Sequence, residues 1–224
     1  MDPMVSHYTL TKQVGIFWFL KDTIFPDPAF QVNVTLGSVL IAWVSTLGPY
    51  LVPAYRLASG KASNDVSFER AWLCTLLYVF GVVVMLLADS QKFYVLKYKK
   101  GLIADGMMRH TRNPNYLGEM MIYGSFMILV NDWISYVCIL QVWCTLFILR
   151  MWQKERSLRQ KEGWAQYKST SWILIPKING RTIDSIMFYG ALICGSLWMY
   201  SNGGIKETLI KFAGANLTGS KVDL

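Results

Sequence analysis

Residues 120–149 read MMIYGSFMILVNDWISYVCILQVWCTLFIL, and this stretch decides the fold. It carries one charged residue, Asp132, which lies near its middle beside Asn131. A helix needs about 20 apolar residues to cross the hydrocarbon core of a bilayer, and Asn and Asp favour turns. The stretch therefore predicts two short membrane helices that turn at Asn131-Asp132-Trp133.

Three further uncharged stretches predict membrane helices on either side of this hairpin, over residues 33–52, 71–88 and 185–200. A short apolar run, Val14–Leu20, predicts an interfacial helix instead. The chain is thus expected to be an all-α, polytopic membrane bundle of about five segments. We divide it into an N-terminal interfacial segment (1–32), the first two helices (33–89), a cofactor-pocket region (90–181), and a last helix with its tail (182–224).

The basic residues of the chain are concentrated in two loops. The 224 residues include 22 Lys and Arg against 14 Asp and Glu, for a net charge of +8. Residues 91–118 and 149–181 hold most of the basic ones, and five segments place both loops on one membrane face. Positively charged loops are typical of the cytoplasmic face, so no nucleic-acid partner is needed to explain the charge. We expect the two loops to touch over one polar pocket.

The first basic loop ends at a predicted helix start. Asn113 is a favourable N-cap residue and Pro114 a favourable first helical residue. Arg109 and Arg112 come just before them, and a helix N-terminus flanked by arginines can hold an anion. Glu119 would then lie just inside a membrane helix, where a carboxylate is costly unless it is paired or functional.

A simpler interpretation remains open, in which Arg109 and Arg112 anchor the membrane surface and Glu119 pairs with an arginine (Arg109, Arg112 or Arg159). The second loop predicts a helix with a Glu155–Arg159 pair at its end. Gly163-Trp164 breaks that helix before Tyr167 and Lys168.

Two motifs carry a family resemblance. RNPNYLGE, residues 112–119, resembles the R-[HN]-P-N-Y-x-G-[DE] signature of membrane sterol and steroid reductases, the steroid 5-alpha reductase family with its DUF1295-like members. The E-R-x-L…G-W-x-x-Y…I-P pattern, residues 155–176, recurs in the same superfamily. That superfamily also includes isoprenylcysteine carboxyl methyltransferases and phospholipid methyltransferases. Glu119 after Gly118 resembles the reductases, because the methyltransferases have an apolar residue there.

The resemblance implies an NADPH site. Arg109 and Arg112 would meet the phosphates, and Tyr167 and Lys168 would close the pocket. The nicotinamide end would be lined by Asn115, Tyr116 and Glu119, of which Tyr116 and Glu119 are the candidate catalytic residues. The residues alone leave S-adenosylmethionine open, because an arginine-flanked helix start suits its carboxylate as well as a pyrophosphate.

One departure from the reductases concerns the substrate. Steroid 5α-reductases carry a Q-E-L-P-S motif, in which the glutamate helps to polarise the substrate carbonyl. The corresponding residues 49–53 here read PYLVP and contain no acid. A tyrosine hydroxyl could replace it, and the sequence does not choose among Tyr50, Tyr55, Tyr78 and Tyr94.

Three functions follow as expectations. The first is NADPH-dependent reduction of a lipid or steroid-like double bond, the second is methylation of a lipid or prenylcysteine, and the third is a non-catalytic subunit of a larger membrane assembly. The expected partners are membrane lipids, a lipid-like substrate and other membrane subunits. The endoplasmic reticulum is the expected location, with the mitochondrial inner membrane as the alternative. No metal is expected, since His7 and His110 are the only histidines.

Overall fold

The computed structural model describes residues 23–26, 33–61, 66–204, 207–208 and 210–211. The interfacial helix predicted over Val14–Leu20 lies outside these residues. The main helices are α1 (Leu36–Ala58), α2 (Phe68–Tyr98), α3 (Pro114–Val130), α4 (Trp133–Leu158), α5 (Trp164–Thr170) and α6 (Thr182–Ser201).

Among the described residues, α1, α2, α4 and α6 are long and apolar enough to cross a membrane. The all-α membrane bundle predicted from sequence is therefore confirmed, and the chain is an integral membrane protein whose helices contact lipid. The remaining one of the five predicted segments is α3, the first arm of the hairpin. It has 17 residues, which is about the shortest helix that can span a bilayer. Its crossing stays a prediction.

The predicted hairpin turn is confirmed. Asn131 ends α3 in the left-handed conformation, with φ 49° and ψ 49°. Asp132 is the N-cap of α4, and its carboxylate accepts the backbone N–H of Ser135 at 3.3 Å. The prediction that both arms are short is wrong for α4, which continues to Leu158 over 26 residues.

Helices α2 and α3 pack closely against each other. A Cβ atom placed on Gly118 would lie 2.6 Å from the backbone oxygen of Gly81, and one placed on Gly81 would lie 2.7 Å from the oxygen of Gly118. Both positions thus have to be glycine for the helices to approach this far. Met85, on the same face of α2, is 1% exposed.

Helix α1 is irregular and is held by the hairpin. It contains a π-helical segment, Trp43–Leu47, and an internal proline, Pro53. Its second half packs against α3 and the first half of α4.

The chain forms two compact units, residues 1–176 and 177–224. The second unit contains α6, where the Ser185 hydroxyl accepts the Ile178 N–H at 2.9 Å.

Candidate active site

The two basic loops contact each other through their backbones, as predicted. The Arg112 N–H donates to the Trp172 oxygen at 2.9 Å, and the Trp172 N–H donates to the His110 oxygen at 3.2 Å. The Thr111 hydroxyl donates to the Leu174 oxygen at 2.6 Å. We call this contact, made by residues 110–113 and 171–174, the loop lock.

The loop lock covers the start of α3. Asn113 is the N-cap residue, as predicted, but its side chain makes no capping bond in the described structure. Instead its amide Nδ2 donates to the Ile173 oxygen at 2.8 Å, and Asn113 is 0% exposed. The sequence predicts an open anion site here, whereas the second loop lies over the residues that precede the helix.

Arg112 lies inside the loop lock and is 7% exposed. Its Nε lies 2.7 Å from Glu155 Oε1, and its Nη1 donates to the Ser171 hydroxyl at 3.2 Å. The guanidinium also lies 5.5 Å from the ring centroid of Trp164. The predicted Glu155–Arg159 side-chain pair is therefore wrong, because Glu155 pairs with Arg112. The cofactor role of Arg112 stays a prediction.

Tyr167 is also part of the structure that joins the loops. Its hydroxyl donates to the Met108 oxygen at 2.7 Å, and the residue is 4% exposed. Burial raises the pKa of the Tyr167 hydroxyl to about 12, so this group stays protonated at neutral pH. In contrast, the neighbouring cations Arg109 and Lys168 are exposed.

A second group of polar residues lies along one face of α3. Tyr116, Glu119 and Tyr123 are spaced at i, i+3 and i+7, which places them on one helix face. We call the space that this face shares with α1 and α4 the Glu119 groove. It is lined by Tyr50, Tyr116, Glu119, Tyr123, Trp143, Phe147 and Arg150.

Ring contacts and charges define the Glu119 groove. The rings of Tyr50 and Tyr123 stack with centroids 3.6 Å apart and planes within 1°. The ring centroids of Tyr116 and Phe147 lie 5.0 Å apart, and Arg150 is close enough for its charge to act on the Tyr116 hydroxyl. The Glu119 carboxylate is close enough for its charge to act on the hydroxyls of both Tyr50 and Tyr116.

The structure distinguishes among the four tyrosines that the sequence leaves open. Tyr50 lies in the Glu119 groove with a buried hydroxyl. Tyr55, Tyr78 and Tyr94 are 61%, 40% and 49% exposed. Tyr50 is therefore the one of the four whose hydroxyl is buried in the groove and on which the Glu119 charge acts.

Three buried polar atoms in this region have no hydrogen-bond partner of good geometry within the described part of the chain. They are the Tyr50 hydroxyl, the Trp143 indole Nε1 and the Asn115 Oδ1. The Trp143 indole lies near enough to the Tyr50 hydroxyl to act on it, but the two atoms do not form a well-aligned bond. A buried polar atom without a partner costs about 1–3 kcal/mol. Two potential donors and one acceptor are thus buried without a well-aligned partner among the described residues.

Sequence reasoning missed two charged residues of this region, Asp89 and Arg150. Both act on Tyr116 through their charge. The predicted spans ended at residues 88 and 149, directly before these charges, although α2 and α4 continue for nine residues beyond Asp89 and eight beyond Arg150. The sequence does contain a signal for them, because each of these charges is followed by further residues that favour helix. Such a charge can lie inside a helix and does not have to mark its end.

Comparison with protein families finds a match over more than half of the chain. Residues 33–171 match the family described as "Protein of unknown function (DUF1295)". This range includes α1 to α4, the Glu119 groove and the first residue of the 171–174 segment of the loop lock. The chain matches no curated protein and no solved structure.

Proposed function

Because the chain belongs to the DUF1295 family, which is tied to steroid 5-alpha reductase-like membrane proteins, we propose that it is a membrane-embedded reductase. It would use NADPH to reduce a carbon–carbon double bond in a lipid or steroid-like substrate. The observation that carries this proposal is the Glu119 groove, in which a carboxylate, buried hydroxyl and indole groups, and an arginine lie between α1, α3 and α4.

The residues present fit the nicotinamide end of NADPH. Its carboxamide has an amino group that donates and an oxygen that accepts. Asn115 Oδ1 offers an acceptor and Trp143 Nε1 a donor, both without well-aligned partners in the described residues. A ligand that satisfies such atoms removes the cost of leaving them buried and unpaired.

Arg109 and Lys168 would bind the phosphates. Both are exposed cations in the two joined loops, and a charge-assisted bond to phosphate is among the stronger hydrogen bonds. Arg112 would support them by holding the loops together through Glu155 and Ser171. We assign Arg112 this structural role in the proposal.

NADPH, when bound, would supply a hydride to one carbon of the double bond. The Tyr50 hydroxyl would donate the proton that the other carbon needs. Glu119 would then accept a proton from water and pass it to the Tyr50 oxygen, which restores the hydroxyl, since its charge acts on that group. Tyr116, whose ring packs against Phe147, would orient the nicotinamide ring toward the double bond of the substrate.

A matched pair of variants tests this proposal. Tyr50→Phe removes the hydroxyl in the groove, and Tyr55→Phe makes the same change at an exposed site on the same helix. With protein in nanodiscs, NADPH oxidation is measured against lipids with isolated and carbonyl-conjugated double bonds. We expect Tyr50→Phe to lower turnover by about 10²–10⁴-fold, the usual effect of losing a general acid, and Tyr55→Phe to retain it. Equal turnover in both variants would contradict the proposed role of Tyr50.

Cofactor binding is measured separately by calorimetry with NADPH and with S-adenosylmethionine. We expect NADPH alone to bind. Binding of S-adenosylmethionine without NADPH would contradict the reductase and favour the methyltransferase.

A specific observation favours one other candidate, a non-catalytic subunit of a membrane assembly. The arginine that the family motif assigns to phosphate pairs with Glu155 and is buried. If neither cofactor binds and the protein purifies from native membranes with stable partners, this second candidate replaces the reductase.

A further inference from the structure

Tyr50 lies in a part of α1 that its own helix geometry constrains weakly. The π-helical segment Trp43–Leu47 ends three residues before it, and Pro53 follows three residues after it. A proline inside a helix removes one backbone hydrogen bond, and a π segment interrupts the regular pattern. The position of the Tyr50 hydroxyl therefore depends on contacts between α1 and its neighbours.

One such contact is an ion pair with the hairpin turn. Arg56 Nη2 lies 2.8 Å from Asp132 Oδ1, and the two side chains are only 19% and 11% exposed. The same Arg56 nitrogen donates to the Lys61 oxygen at 3.0 Å, which ties it to the end of α1. The other carboxylate oxygen of Asp132 accepts the Ser135 N–H at 3.3 Å.

The ion pair thus connects the end of α1 to the first turn of α4. Arg56 is six residues from Tyr50, about 9 Å along a helix at about 1.5 Å per residue. Another contact between α1 and the hairpin is the stack of Tyr50 on Tyr123. Two stacked rings can slide past each other in their plane, so the stack alone does not set the position of α1. The largely buried ion pair holds Arg56 at a fixed distance from Asp132.

We infer that Arg56 and Asp132 are positioning residues that fix the Tyr50 hydroxyl beside Glu119. This inference rests on the function proposed above for Tyr50. Neither residue is among those that line the groove. Both would act on Tyr50 by setting how far α1 is shifted along its axis and how it is rotated about that axis. An error of about 1 Å in the position of a reacting group can cost on the order of 10²-fold in rate.

Four variants test the inference. Arg56→Ala removes the pair, and Asp132→Asn removes its charge while keeping a good N-cap for α4. Arg56→Lys keeps the charge, and Lys61→Ala removes a neighbouring cation whose backbone oxygen alone binds Arg56. The measurements are kcat for NADPH oxidation at saturating substrate and the Kd of NADPH.

We expect Arg56→Ala and Asp132→Asn each to lower kcat by about 10–100-fold. The Kd of NADPH should be unchanged, because the residues proposed to bind it lie on α3, α4 and the two loops and not on α1. The double variant should be no slower than either single one, because both changes break the same interaction. Arg56→Lys should recover most of the rate, and Lys61→Ala should keep it. A normal kcat in Arg56→Ala, or a loss of rate equal to the loss of NADPH affinity, would overturn the inference.

Hydrogen exchange separates this inference from the proposed function. In Arg56→Ala the amides of residues 48–58 should exchange about tenfold faster, as expected when local opening becomes easier, while those of α2 and α3 keep their rates. If the wild type oxidises no NADPH, the proposed function fails, and the exchange result still decides whether the pair places this half of α1. Unchanged exchange in residues 48–58 would overturn that placement.

Discussion

Arg112 and Glu119 are seven residues apart in one motif, yet the structure gives them different surroundings. Arg112 is buried in the loop lock with Glu155 as its partner. Glu119 lies in the groove near the hydroxyls of Tyr50 and Tyr116. The first residue of the motif therefore joins the loops, whereas its last one lies in the Glu119 groove.

We expect Arg112→Ala to destabilise the protein by about 3–5 kcal/mol, because it leaves the buried Glu155 carboxylate without its partner. Thermal unfolding in detergent measures this loss. The control is Lys99→Ala, which removes an exposed cation from the same loop. An unfolding temperature of Arg112→Ala equal to that of the control would contradict the structural role of Arg112.

Glu119→Gln should lower NADPH-dependent turnover while leaving the unfolding temperature nearly unchanged. The substitution keeps the shape of the side chain and removes the charge that acts on Tyr50 and Tyr116. Glu162→Gln is the matched control, as Glu162 is an exposed carboxylate outside the groove. If Glu119→Gln instead unfolds early and keeps its turnover per folded molecule, Glu119 is structural.

For single residues, the sequence predicts local conformation, such as helix caps and turns, better than it predicts which residues pair with each other. Asn113, Pro114, Asn131 and Asp132 have local preferences strong enough to place a helix start and a turn, and the structure has both. The partner of Arg112 comes from 43 residues away. Such a contact depends on tertiary packing, which helix periodicity and capping rules do not contain.

At the scale of elements, the central feature is the contact between α2 and α3. It depends on glycine, since a Cβ on Gly118 would lie 2.6 Å from a backbone oxygen. The groove face of α3 keeps its position because the opposite face is packed against α2 in this way.

We expect Gly118→Ala to destabilise the protein by about 1–3 kcal/mol, the usual cost of overpacking a tight interior. Gly190→Ala is the control, because Gly190 lies inside α6 and a Cβ atom added there would meet no described atom within 4 Å. Alanine there should be neutral or stabilising, since it favours helix. Equal unfolding temperatures for the two variants would contradict the close packing of α2 on α3.

Helix lengths show the limit of the apolar-run rule. That rule ends a predicted span at its first charge, and so it stops before Asp89 and Arg150. The helices continue past both residues, because an intramembrane charge near a helix end can be satisfied by other helices. Because the rule places Asp89 and Arg150 outside the predicted helices, neither residue is among the candidate site residues predicted from the sequence.

At the scale of the whole molecule, the loop lock implies that both basic loops lie on one side of the membrane. Single cysteines at Lys99 and Glu162, in a background without the native cysteines, should react with an impermeant reagent from the same side of sealed vesicles. Ser59→Cys, in the loop between α1 and α2, should react from the other side. Labelling of positions 99 and 162 from opposite sides would contradict the shared face.

Stability in alkali should depend on Tyr167. Burial raises its pKa to about 12, above the ordinary value near 10. The stability linked to its proton is therefore fully present below about pH 10 and is lost as the pH rises from about 10 to 12. Unfolding of Tyr167→Phe should show a weaker pH dependence in that window than the wild type, with Tyr98→Phe, an exposed tyrosine, as control. Identical pH profiles would contradict the burial of this hydroxyl.

The pairing of Arg112 with Glu155 also constrains how the chain is made. Because 43 positions separate the two residues, ribosomes that add about 5–20 residues per second need roughly 2–9 s between them. During that interval α3 and most of α4 are synthesised, while the arginine does not yet have Glu155 as a partner. The loop lock therefore forms late in synthesis, and nascent chains that end before Leu174 contain the hairpin but not the segment that completes the lock.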